Sequence, residues 1–122
     1  MSTSECPFCA LARNPEDADR EVHVNNDMSV ISFEPNNPVT PGHRLFVPVD
    51  HVLHPAPGLV ADAMWVAERW GGLHAEQFNL ITSSGPDATQ TVPHIHVHYV
   101  PRRAGDGLAL PWTGQEDRHV DQ

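Results

Sequence analysis

The stretch VPHIHVHYV, residues 92–100, constrains the fold more tightly than any other part of the chain. Side chains alternate between the two faces of a strand, so a period of two sets His94, His96 and His98 on one face and Ile95, Val97 and Tyr99 on the other. The apolar set requires a covering layer. The histidine set is not the mixture of Lys, Glu, Thr and Ser that a solvated face carries. Same-face Cα atoms are roughly 6.6 Å apart and the outer pair about 13 Å apart, so three such histidines do not converge easily on one ion, whereas two can. The expected division of labour gives one or two rings to a metal and leaves the others for acid, base or nucleophile work. Pro93, which has no N–H, fits the start of such a strand.

Strand partners are readable elsewhere. Residues 22–24 (VHV), the Asn25-Asn26-Asp27 turn and 29–33 (SVISF) read as a hairpin, and RLFVPV, 44–49, and FNLITSS, 78–84, read as two more strands. From about Gly58 to Phe78, Leu59, Ala63, Val66, Ala67 and Trp70 recur at three- and four-residue spacing, which predicts a helix with one apolar face; Gly71-Gly72 is the expected point of breakage. Turn-dense segments at 34–43 (EPNNPVTPGH) and 85–90 (GPDATQ) separate these elements. One helix among antiparallel strands points to an α+β fold.

At 122 residues, with 39% hydrophobic and 19% charged residues, the chain is expected to form one globular domain. A formal net charge of −9 argues against non-specific nucleic-acid binding. No apolar run approaches the length of a membrane span, and MSTSECPFCA lacks the pattern of a secretory signal, so no membrane association and a cytoplasmic location are expected. Residues 114–122 are expected to form a polar, flexible tail.

Cys6-Pro7-Phe8-Cys9 admits a disulfide, a redox pair, half of a metal site or two incidental thiols. A redox pair usually follows a strand, and none precedes these residues; a reducing compartment disfavours a structural disulfide. Half of a zinc site is the better reading, and it needs two further ligands. A catalytic metal on the His94/His96 pair, with distant His119 or in a cupin-like barrel, is a weaker reading, because a cupin places a carboxylate soon after its histidines and no acid follows His98 before Asp106.

His94-Ile95-His96-Val97-His98-Tyr99-Val100 resembles the signature of the histidine triad (HIT) superfamily of nucleotide hydrolases and transferases. Gln90-Thr91 stands just upstream, as the family's Gln-Ser/Thr does. Asn36, Pro38, Gly42 and His43 resemble its NPxxPGH segment, and ECPFCA, residues 5–10, resembles the zinc-binding start of bacterial members. The likeness runs from about residue 6 to 113, in the family's order and spacing.

This resemblance implies an HIT domain over residues 1–113, with a zinc-binding segment at 1–12. The implied fold is a five-stranded antiparallel sheet carrying one long and one short helix. It implies a homodimer acting on a purine nucleotide, and Trp65 and Trp70 are candidates for the dimer face. His96 is the implied nucleophile, attacking the α-phosphate, with His98 and His43 beside the phosphate and Gln90 and Thr91 hydrogen-bonding its oxygens. Cys6, Cys9, His51 and His94 are the implied ligands of one structural zinc, a closed set that leaves no position for substrate; no catalytic metal is implied. Arg102, Arg103 and Trp112 are either placed on the leaving-group side or simply solvated. The departures are Pro35 where members carry an Asp that grips the ribose, with Glu34 as the candidate substitute, Ser83 where they carry Asn or Gln, and Thr89 where they carry Gly. These bear on substrate preference more than on reaction type.

Overall fold

The computed structural model describes residues 6–13, 19–25, 27–50, 56–74 and 77–113. Its elements are α1 (Pro7–Arg13), β1 (Glu21–Asn25), β2 (Met28–Phe33), β3 (Arg44–Pro48), α2 (Pro57–His74), β4 (Phe78–Thr82), a short 3₁₀ turn (Pro86–Ala88) and β5 (Val97–Pro101). The strands form one five-stranded sheet in the order β1-β2-β3-β5-β4, and every neighbouring pair is antiparallel. The expected α+β class and the sheet with one long and one short helix are what the chain adopts. No helix among the described residues is long and apolar enough to cross a membrane.

Strand alternation divides the core into two layers. On one face Val30, Phe46, Val97 and Tyr99 meet Ala63, Val66 and Ala67 of α2. On the other, Ile31, Phe33, Leu45 and Val47 meet Cys6, Phe8 and Cys9 from the N-terminal segment and α1. The β1–β2 turn closes with Asp27 in the left-handed region (φ 65°), a conformation that Asp tolerates. Before β3, Pro41 and Gly42 occupy the centre of a turn closed by His43 N–H donating to Thr40 O over 3.1 Å. Gly42 has φ 90° there, which a type II turn demands of its third residue.

Two expectations change. The helix does not break at Gly71-Gly72 or reach Phe78; it runs through both glycines to His74. The aromatic ring of Phe78, the first residue of β4, lies against Gly71, where an added Cβ would meet its Cζ at 2.5 Å. Glycine at 71 is therefore the space that lets β4 return under α2. The second change concerns the triad strand, which begins at Val97 rather than Val92. His94 N–H donates to Val92 O over 2.8 Å, a three-residue turn centred on Pro93, so residues 92–96 do not join the ladder. The three histidine rings still lie on the α1 side of the sheet, His94 and His96 against Phe8 and His98 with its ring centroid 5.2 Å from that of His96.

Of the two helix tryptophans, Trp70 packs against Phe46 with ring centroids 5.9 Å apart, while Trp65 is 50% exposed. Arg102 hydrogen-bonds Asp106, Asn79 and the Leu108 carbonyl, so it pins the segment after β5. That guanidinium, with the N–H groups of Arg103 and Leu108, holds the Asp106 carboxyl far below the usual range.

Candidate functional site

The irregular run ahead of β5 turns the three histidines of the triad to different tasks. Buried His94 donates Nε2–H to Pro48 O over 2.7 Å. A neutral imidazole carries one ring proton, so this bond makes Nδ1 the lone-pair atom. That atom lies 3.4 Å from Cys6 Sγ and 3.6 Å from Cys9 Sγ. Zinc–sulfur and zinc–nitrogen bonds of ordinary length at a tetrahedral angle set S and N ligands about 3.6 Å apart. Spacing, tautomer and donor types therefore all fit a metal ion held by Cys6, Cys9 and His94, whose three ligand atoms lie within 4.8 Å of one another. His51, the fourth expected ligand, lies outside the described residues, as does His119.

His96 is also buried, and its Nδ1–H donates to His94 O over 2.8 Å. The unprotonated nitrogen is then Nε2, the form that a nucleophile needs. Phe8 stands edge-on to both rings, 5.2 Å from His96 and 5.8 Å from His94, so α1 buttresses the candidate metal ligand and the candidate nucleophile together.

The third pair is set from the PGH turn. Val39 N–H donates to His43 Nδ1 over 3.1 Å, which places the ring proton of His43 on Nε2. His43 Nε2 is 3.0 Å from His98 Nδ1 and donates to it, so the proton of His98 sits on Nε2. Each tautomer thus follows from a main-chain N–H or C=O whose role is not in doubt. Burial, with the neighbouring His96 and His43, lowers the His98 pKa to about 4 and keeps the ring neutral near pH 7. Burial also lowers the His43 pKa, partly offset by the Glu34 carboxylate.

These groups border one cavity of about 660 Å³. His43, His96, His98 and Thr91 line it, together with Glu34, Asn36 and Asp19; Phe8, Leu11 and Phe33 supply an apolar wall. Of the expected site residues, Ser83 and Gln90 do not line it. Gln90 instead closes the 85–90 loop: its Oε1 accepts from Gly85 N–H over 2.8 Å and its own N–H donates to Gly85 O over 3.1 Å. Its Nε2 is buried with no partner among the described residues.

Asp19 and Leu11 lie in no motif, and Phe8 is only a spacer within Cys6-Pro7-Phe8-Cys9, so local pattern does not single them out. One signal was available for Asp19. Arg44 opens an otherwise apolar strand, and a buried guanidinium requires acidic partners. Its partners are Asp19, 3.1 Å away, and Glu21.

An antiparallel sheet with a metal-ligand cluster beside a histidine-lined cavity defines a small α+β protein with a preorganised imidazole site. Residues 17–105 match the HIT domain model, and the chain belongs to that family. It is 28% identical over 116 residues to the adenosine 5′-monophosphoramidase HNT1 of Saccharomyces cerevisiae, covering 91% of this chain and 72% of that protein. It is 35% identical over 78 residues to the bifunctional bis(5′-adenosyl)-triphosphatase/adenylylsulfatase FHIT of Arabidopsis thaliana, covering 57% of this chain and 43% of the relative. A zinc-bound histidine triad family protein from Mycobacterium smegmatis superposes with a TM-score of 0.73 at 33% identity, covering 89% of this chain and 83% of the other.

Proposed function

We propose that the chain hydrolyses nucleotides substituted on the α-phosphate, or transfers their nucleotidyl group, through a covalent nucleotidyl-His96 intermediate. The observation that carries this reading is the cavity where His43, His96 and His98 meet with main-chain groups dictating each tautomer. The His96 Nε2 lone pair forms a bond to the α-phosphorus. The bond from phosphorus to the leaving nitrogen or oxygen breaks, its electron pair stays on that atom, and that atom takes up a proton. Water then attacks the same phosphorus and gives up a proton to solvent, the P–N bond breaks back onto His96, and the nucleoside monophosphate departs. Neutral His98 directs Nε2–H at the charge that develops on phosphoryl or leaving-group oxygen, and Thr91 offers a hydroxyl to the same phosphate.

In this reading His43 is a positioning residue, since both of its ring nitrogens are engaged by Val39 and His98. The wall of Phe8, Leu11 and Phe33 suits the flat apolar face of a purine. The two relatives named above, a phosphoramidase and a triphosphatase/adenylylsulfatase, share the chemistry of an adenylyl phosphorus bearing a displaceable group. Cys6, Cys9 and His94, with His51 as fourth ligand, would hold one zinc per chain. Bound there, zinc supplies a closed structural centre that ties α1 to the start of the triad segment. Self-association through the face of α2 that carries exposed Trp65 and Leu73 belongs to the same reading.

The test is intact mass after brief mixing with adenosine 5′-phosphoramidate, comparing the wild type with His96→Ala. An adenylyl adduct in the wild type alone, with AMP released, is expected. Bound nucleotide without adduct or AMP would replace this reading with a nucleotide-binding module, to which Pro35 in place of the expected acid already lends weight.

A further inference from the structure

We infer that Asp19 is the residue that recognises the sugar of the substrate, taking the vicinal hydroxyls of a ribose and so selecting ribonucleotides over deoxyribonucleotides. The inference rests on the nucleotide reading above and names the group that sets its sugar specificity.

An arginine stands in the wrong place for simple packing. Arg44 lies in β3, its side chain is only 11% exposed, and its guanidinium is 4.8 Å from the Trp70 ring centroid. Burying that charge is costly unless its donors are met. Ser32 meets two of them, through Oγ at 2.9 Å and O at 3.1 Å. The remainder reach to the surface, where NH1 donates to Asp19 Oδ1 over 3.1 Å and NH2 to Asp19 O over 2.9 Å. Asp19 is thus gripped by both its carboxylate and its backbone. Glu34 N–H donates to the second carboxylate oxygen, Oδ2.

The result is a carboxylate held from two sides, still 53% exposed, on the wall of the same cavity as His96 and His98. A carboxylate has about four lone-pair sites. Arg44 takes one on Oδ1 and Glu34 N–H one on Oδ2, which leaves one on each oxygen. Two acceptor sites on adjacent, fixed oxygens match two adjacent hydroxyl donors. The same chemistry, an acidic side chain accepting from ribose hydroxyls, serves dinucleotide-binding folds.

Glu34 is less suited to this task. It lines the same cavity, but its side chain is exposed and is not among the carboxylates that Arg44 holds in place. Pro35 next to it has no polar side chain. The chain therefore recruits its diol acceptor from the segment before β1 rather than from the segment after β2.

The experiment compares adenosine 5′-phosphoramidate with its 2′-deoxy and 3′-deoxy analogues in wild type, Asp19→Asn, Glu34→Gln and Glu21→Gln. Wild type is expected to favour the ribonucleotide by on the order of tenfold to a hundredfold in kcat/KM, the scale of hydrogen bonds to a charged group. Asp19→Asn should bring that ratio close to one by losing rate on the ribonucleotide alone. Glu21→Gln disturbs the same Arg44 cluster without lining the cavity, so it should keep the ratio, as should Glu34→Gln. Three results would overturn the inference: equal loss on all substrates in Asp19→Asn, a retained ribose preference in that variant, or no preference in wild type. If wild type cleaves none of them, the proposed reaction fails, and dissociation constants for AMP and 2′-deoxy-AMP by calorimetry decide the role of Asp19 separately. A preference for AMP that Asp19→Asn abolishes supports it; equal affinities, or no binding, end it.

Discussion

Replacing His43 by alanine deletes the Nε2–H donated to His98 Nδ1 across 3.0 Å, and with it the lock that keeps the His98 proton on Nε2. A net intramolecular hydrogen bond is worth roughly 0.5–1.5 kcal/mol. Since about 1.36 kcal/mol is tenfold in rate, kcat/KM should fall about twofold to tenfold. His98→Ala removes a donor aimed at developing charge and should cost on the order of 10²- to 10³-fold. The decisive protein is the double variant. If His43 acts only through His98, it loses no more than His98→Ala alone, and the interaction energy equals the entire His43 effect. The assay is AMP release from adenosine 5′-phosphoramidate by wild type, both single variants and the double variant. Losses that multiply would refute the reasoning, because His43 would then touch the phosphate itself.

Gly71→Ala should destabilise the protein by about 1–3 kcal/mol through overpacking, despite the helix propensity that alanine adds, because its Cβ would meet Phe78 Cζ at 2.5 Å; a higher denaturant midpoint would contradict the packing described. His98, His43 and His23 all have pKa values lowered in the fold, each mainly by burial. The unfolded chain therefore binds more protons below about pH 6.5, so stability should fall as pH drops from 6.5 toward the His98 value of about 4, and urea midpoints at several pH values would show it. One zinc per chain is expected by elemental analysis, and Cys9→Ser or chelation should lower the melting temperature; an unchanged melt with metal removed would count against a structural role for the zinc.

The hairpin, β3, β4 and the helix are legible because each carries the period of its element and is closed by its own turn chemistry: Asp27 in the left-handed region, Pro41-Gly42 before β3, an apolar stripe along α2. The period-two run of histidines is legible too, but its meaning is not. Alternation alone predicts a strand from Val92, whereas the turn centred on Pro93 delays β5 until Val97. The glycines at 71 and 72 mislead for a related reason. Propensity counts against glycine in a helix, and only the position of Phe78 in three dimensions shows why it is needed there. Asp19 is hardest to foresee, because its role depends on Arg44 in β3, 25 residues away.

The local departure from strand geometry at 92–96 explains how one short segment can hold both a candidate metal ligand and a candidate nucleophile. On a regular strand the carbonyl of His94 would be committed to the ladder. Freed from the ladder, the His94 ring turns to Cys6 and Cys9 while its own carbonyl accepts from His96 Nδ1–H. One residue thus presents a side chain to a metal cluster and a main-chain acceptor to the nucleophile candidate. Phe8, set between the two cysteines in sequence, packs on both rings and lines the cavity. Movement of α1 would therefore disturb the wall of the cavity and the orientation of His96 together. A metal held by Cys6, Cys9 and His94 would strengthen that coupling, because it would tie α1 to the start of the triad segment.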